Sequence, residues 1–98
     1  MDLRQLTTLV AIADHGSFSA AARALYTVQS NVSGHIARLE KELGVVLVDR
    51  QRGGLTDEGM IVVERARRVL HELEDIAAGY KKIVGLDIET VNAKMRGV

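Results

Sequence analysis

The chain has no cysteine among its 98 residues. That excludes disulfides, thiolate metal sites and cysteine nucleophiles together. Aromatic residues make up only 3%, while hydrophobic residues make up 47%. A core is therefore within reach, but it must be aliphatic and rich in alanine. No apolar run approaches the roughly 20 residues of a membrane-spanning helix. The opening residues, MDLRQLTTLVAIADHG, lack a basic leader and a small-residue cleavage signal, so no secretion signal is evident. A cytoplasmic protein is the default expectation. Net charge is absent too: 13 basic residues balance 13 acidic ones. That counts against a simple electrostatic DNA binder, but distribution matters more than the sum, and nucleic-acid binding is permitted by charge without being demanded by it. From Arg23 to Arg52 there are five basic residues against three acidic, a local excess of two. Acids gather later, at Glu72, Glu74 and Asp75. The length suits one compact domain.

What is present is helical periodicity. Leu3, Leu6, Leu9, Val10 and Ala13 recur at spacings of three and four, which predicts an amphipathic helix over about 2–14. Asp2 is a plausible N-cap and Gly16 a plausible stop. Ser17 can cap a second helix that buries Phe18, Ala21, Ala22 and Leu25; the alanines allow two helices to cross closely. Tyr26-Thr27-Val28 makes a short link, with Thr27 expected to cap a third helix.

The third helix is the centre of the reading. Val32, Ile36, Leu39 and Leu43 form one apolar row. Ser30, Gly34, Ala37, Arg38 and Lys41 face the other way, with Gln29 and Ser33 toward one edge. Such a helix is slim at its exposed start and leads with amide and hydroxyl groups. A helix presented to base edges in a major groove needs both properties. The same periodicity also fits an ordinary surface helix.

Gly44 ends that helix, and Val45 to Val48 carry a short strand signal. Asp49-Arg50-Gln51-Arg52 and the pair Gly53-Gly54 then predict a tight two-stranded ribbon with a basic approach. Its arginines are either phosphate contacts or solvated hairpin charges. From Thr56 a long helix follows. Val62, Ala66, Val69, Leu73, Ile76, Tyr80 and Ile83 form a heptad seam, the pattern of one helix packing along another. A helix of roughly 25 residues exceeds what so small a domain can cover, so a second copy is the economical partner. A helix packed within its own chain is the competing reading. The segment 85–98 is ambiguous between a short amphipathic element and a frayed tail.

The order helix, helix, turn, helix, wing, long helix, with LRQLTTLVAIADHGSFSAAARALYTVQSNVSGHIARLEKELGVVLVDR and LTDEG, resembles the N-terminal DNA-binding region of LysR-type transcriptional regulators over about residues 1–80. The resemblance implies a mainly α fold: a winged helix-turn-helix of three helices and a small two-stranded β wing, then a long dimerisation helix. The implied division is a DNA-binding domain at 1–58, with its helix-turn-helix core at about 18–37, a linker helix at 57–84 and a tail at 85–98. It also implies double-stranded DNA as partner and a homodimer through Val62, Ala66, Val69, Leu73, Ile76 and Tyr80. Gln29, Ser30 and Ser33 match base- and phosphate-contacting positions. Arg38 matches a basic position later in that helix, Arg50 the arginine at the strand end, and Arg52 lies in the wing. Asn31 and His35 complete the candidate DNA-binding set. Phe18, Ala21, Ala22, Leu25, Leu39 and Leu47 match structural positions. Gly34 stands where many members carry a bulky residue. The family's two-lobed effector-binding domain, and with it any small-molecule site, is expected to be absent from this chain.

Two other classes compete with this reading. An enzyme would need a constellation that is missing: His71 and Asp75 share a helix face, but no third ligand and no Walker, nucleophile-elbow or HExxH string occurs. No metal, cofactor or catalysis is expected. A pure protein-interaction module would use the long helix and leave the Gln29–Ser33 edge without a role.

Overall fold

The computed structural model describes the backbone of residues 1–96 and the side chains of residues 1–79. Among the described residues there are four helices: α1 (Leu3–His15), α2 (Phe18–Ala24), α3 (Gln29–Leu43) and α4 (Asp57–Arg96). They fall into two compact units, Met1–Arg68 and Val69–Val98.

In the first unit α1, α2 and α3 are short, and most of their ends are fixed locally. The Asp2 carboxylate accepts from the Gln5 amide at 2.9 Å, and the Gln5 side chain accepts from the Asp2 amide at 3.2 Å. This reciprocal capping box starts α1. Gly16, at φ 86°, ends it in the left-handed conformation that glycine adopts without penalty. Ser17 caps α2 by accepting from the Ala20 amide at 3.1 Å. The turn before α3 passes through Tyr26 at φ 55°, an uncommon conformation for a residue with a side chain. The expected Thr27 cap does not form. Val28 occupies the N-cap position and offers no side-chain oxygen. Thr27, one residue too early, instead accepts a hydrogen bond from Asn31 Nδ2 at 2.8 Å.

The core is aliphatic, as the scarcity of aromatics demands. Leu9 and Ile12 of α1, Ala21 and Ala22 of α2, and Val32, Ile36 and Leu39 of α3 close on one another. Leu47, Val48, Val63 and Ala66 are buried too. Leu43, assigned to the same apolar row, keeps 37% of its surface, since it lies in the last turn before the Gly44 reversal. Two polar side chains are buried with the core, and both are tied to backbone. Gln5 belongs to the capping box, and Thr8 donates to the Arg4 carbonyl at 2.6 Å. An exposed ion pair from Arg67 to Asp14, 2.6 Å, connects α4 with the end of α1.

The ribbon is smaller than the valine run predicts. One antiparallel bridge, Val48 to Leu55, is all the pairing in it. Val45 and Val46 are exposed and outside any strand. The reason is competition for backbone groups. The Leu47 and Val48 amides donate to the Glu40 carboxylate, and the Val46 carbonyl accepts from the Thr56 hydroxyl. Side chains thus take up groups that a longer ladder would use.

In the second unit α4 shows one non-helical residue, Gly79, at φ −109° and ψ 20°. Among the described residues no helix is long and apolar enough to cross a membrane.

Candidate nucleic-acid interface

Three stripes run along α3 outside its buried row. At about 100° per residue, Ser30, Gly34, Ala37 and Lys41 lie opposite Val32, Ile36 and Leu39. Gln29 and Ser33 form one flank, Asn31 and His35 the other. The outer stripe is open: Ser30, Ala37, Arg38 and Lys41 are exposed, and Gly34 is half-buried. Gly34 needs no explanation from within the protein. A Cβ added there would meet only the Arg38 guanidinium, at 3.5 Å and beyond. The missing side chain therefore thins the helix on its outward side.

The first flank faces the wing. Gln29 and Ser33 share a groove of about 400 Å³ with Phe18, Val48, Arg50 and Gly53. The wing tip is rigidly drawn. Asp49 Oδ1 accepts from the Gln51 and Arg52 amides, both at 3.0 Å, while the Gly53 amide donates to the Asp49 carbonyl at 2.7 Å. Gly53 and Gly54, at φ 76° and 82°, supply the left-handed turn. The Arg52 side chain stands exposed there, without an ion pair among the described residues.

Arg50 is exposed as well, but it is engaged within the chain. Its Nη2 lies 3.0 Å from Glu40 Oε1, and its guanidinium sits 5.6 Å above the Phe18 ring. Glu40 is the hub. Its other oxygen accepts from the Leu47 amide at 2.7 Å and the Val48 amide at 3.4 Å. Burial pushes the Glu40 carboxyl upward, yet the Arg50 and backbone hydrogen bonds outweigh it and hold the group below its ordinary range. So a carboxylate from α3 fastens the wing to that helix, and Arg50 completes the clamp. Periodicity and motif spacing do not single out Glu40. The available signal is its place between Leu39 and Leu43, at the border of the apolar face, where an acid needs a partner.

The family assignment is decided by the fit to a family model. Residues 3–60 match the bacterial regulatory helix-turn-helix proteins of the lysR family. The chain belongs to the LysR family. Among curated relatives, the HTH-type transcriptional regulator BsdA of Bacillus subtilis is 41% identical over 78 residues, 76% of this chain and 27% of that protein. The DNA-binding transcriptional dual regulator OxyR of Escherichia coli is 42% identical over 76 residues, 76% of this chain and 25% of that one. The chain thus spans about a quarter of the length of these relatives. Among solved structures, the BenM DNA-binding domain in complex with benA site 1 DNA is 32% identical, with a TM-score of 0.77. The match covers 86% of this chain and 97% of that one. The fold is therefore the mainly α, winged helix-turn-helix of the LysR DNA-binding domains, with the wing reduced to a single bridge.

The heptad seam on α4 divides by burial. Ala66 is 2% exposed, packed in the core of the first unit, and is not available to a second chain. Val62 is half-buried. Val69, Leu73 and Ile76 keep 43%, 41% and 51% of their surface. The side chains of Tyr80 and Ile83 lie outside the described residues. His71 and Asp75 form an exposed pair at 3.5 Å. Among the described residues no cluster of three or more His, Asp or Glu could hold a metal.

Proposed function

We propose that this chain is a sequence-specific double-stranded DNA-binding module of a transcriptional regulator, with α3 in the major groove. The carrying observation is the outward stripe of α3: a thin, uncluttered helical edge flanked by Gln29 and Ser33. It stands on a fold that the BenM domain, in its complex with DNA, also has. Gln29 and Ser33 are the base-reading pair, with Ser30 beside them on the outward stripe and Asn31 and His35 on the opposite flank. Arg38 and Arg52 supply charge to phosphates. Arg50 orders the wing through Glu40. The names of BsdA and OxyR, transcriptional regulators, support the same reading. No catalytic step, metal or cofactor enters it.

The decisive test uses duplexes selected by the chain from a random pool. Gln29→Ala is expected to lose about 1–3 kcal/mol of discrimination between the selected site and a scrambled one, the worth of one bidentate base contact. Unchanged discrimination in a competition binding assay would remove α3 as the reading element.

The partner of α4 in this proposal is a second copy, joined through Val69, Leu73 and Ile76, whose exposed apolar surface invites cover. Leu73→Lys places a charge in that seam. Sedimentation is expected to give monomers, and affinity for a two-half-site duplex is expected to fall. A dimer of unaltered stability would place the interface elsewhere.

A further inference from the structure

A second groove lies on the other flank of α3, between that helix and α1, with a volume of about 390 Å³. Arg4, Thr7, Thr27, Asn31 and His35 line it, over an apolar floor that includes Leu25. Every one of those five side chains carries a donor group. No acidic residue lines the groove. Arg4 is exposed and makes no ion pair among the described residues. Thr27 Oγ1 accepts from Asn31 Nδ2 at 2.8 Å, so its own hydrogen remains to be donated, as does the second hydrogen of the Asn31 amide. On the sequence, Asn31 and His35 count among the DNA-binding candidates without an assigned contact, and Arg4, Thr7 and Thr27 have no binding role.

The position of this groove follows from helix geometry. At about 100° per residue, Gln29/Ser33 and Asn31/His35 lie nearly diametrically across α3. A major groove is about 12 Å wide, and a helix with its side chains is about 10–12 Å across. A helix seated there fills it, so each flank meets a different phosphate strand. The wing side, with Arg52, meets one. The α1 side meets the other.

Resting on the DNA-binding reading above, we propose that the Arg4–Thr7–Thr27–Asn31–His35 groove is the binding site for backbone phosphate of the strand remote from the wing. The ligand class is the DNA phosphodiester, held by the Arg4 guanidinium and by hydroxyl and amide donors. It carries no base information. Its effect is to fix the depth and tilt of α3, so that Gln29 meets its base edge in register.

The test is a salt titration of duplex binding with the whole chain, joined to phosphate-ethylation interference on the selected duplex. Arg4→Ala is expected to shallow the slope of log affinity against log salt by about 0.9 for each phosphate it no longer neutralises. It should also erase interference at phosphates of the remote strand and leave the wing-side pattern in place. Arg4→Lys is expected to restore most of the slope, since an ammonium also binds phosphate as a point charge. If Arg4→Ala keeps the wild-type slope and ethylation pattern while the wild type binds its site, the proposal is overturned and the DNA reading stands. If the wild-type chain ignores both selected and mixed-sequence duplexes, the DNA reading fails and this site fails with it.

Discussion

Gly59→Ala is expected to destabilise the fold by about 3 kcal/mol or more, the upper end of overpacking costs. A Cβ at Gly59 would lie 2.0 Å from the Leu47 carbonyl oxygen and 3.0 Å from its carbon. Both are backbone atoms of a fully buried residue. That same carbonyl accepts from the Thr56 amide at 3.0 Å, so it cannot rotate away without breaking the junction between the wing and α4. Gly59 is itself buried in the first turn of α4, and its amide donates to the Thr56 hydroxyl at 3.0 Å. The string LTDEG thus combines a capping hydroxyl with the one residue small enough to let the helix touch the chain beneath it. Total stability of small domains is about 5–15 kcal/mol, so a loss of this size is a large part of it. Thermal unfolding by circular dichroism is the measurement. Domains of this size shift roughly 4–8 °C per kcal/mol, and a drop under about 4 °C would mean that the backbone yields. Gly34→Ala is the contrast within the same chain. Its added methyl meets only a flexible guanidinium, and alanine favours the helix by about 1 kcal/mol, so stability should rise.

The two glycines illustrate what a single sequence makes legible. Helix ends, the apolar rows of α1 and α3 and the turn between α2 and α3 depend on neighbours within about four residues, and periodicity with capping chemistry exposes them. The packing of Gly59 on Leu47 joins residues far apart in the chain through a reversal whose geometry no local pattern contains. The wing departs from expectation for a related reason. Val45 to Val48 carry a genuine strand preference, but their amides and carbonyls are claimed by Glu40 and Thr56 from elsewhere in the chain. The cap expected at Thr27 falls one residue away, at Val28, within the usual uncertainty of a helix boundary. On the candidate interface, the identity of the outward face of α3 is readable because it is the complement of an apolar row. Its division into a wing side and an α1 side is not, because that depends on which elements pack against each flank. Ala66 shows the same limit on the heptad seam: spacing identifies a stripe but not the depth at which the stripe passes from core to surface.

Glu40→Ala is expected to cost about 2–3 kcal/mol and to loosen the wing, because it strips the acceptor from the buried Leu47 amide and weakens the hold on Val48. The carboxylate side chain is only 14% exposed, so water cannot simply replace it. Amide hydrogen exchange at Leu47 and Val48 should accelerate well beyond that of the α1 core. Arg50 would lose its partner and be left stacked on Phe18 alone. Acid should reproduce part of this in the wild type. The Glu40 carboxyl is held below its ordinary value of 4.5, so it contributes stability that is fully present above that value and is lost as pH falls through the lowered one. The wild type should therefore weaken progressively below about pH 4.5 relative to the variant, and the gap between the two stability curves should close as pH drops. Asp14 is lowered as well, through its hydrogen bond from Arg67, but it titrates alike in both proteins and cancels in the difference. A constant gap down to the acid limit would mean that the wing is held by packing of Leu47 and Val48 alone, and that Arg50 is free for phosphate.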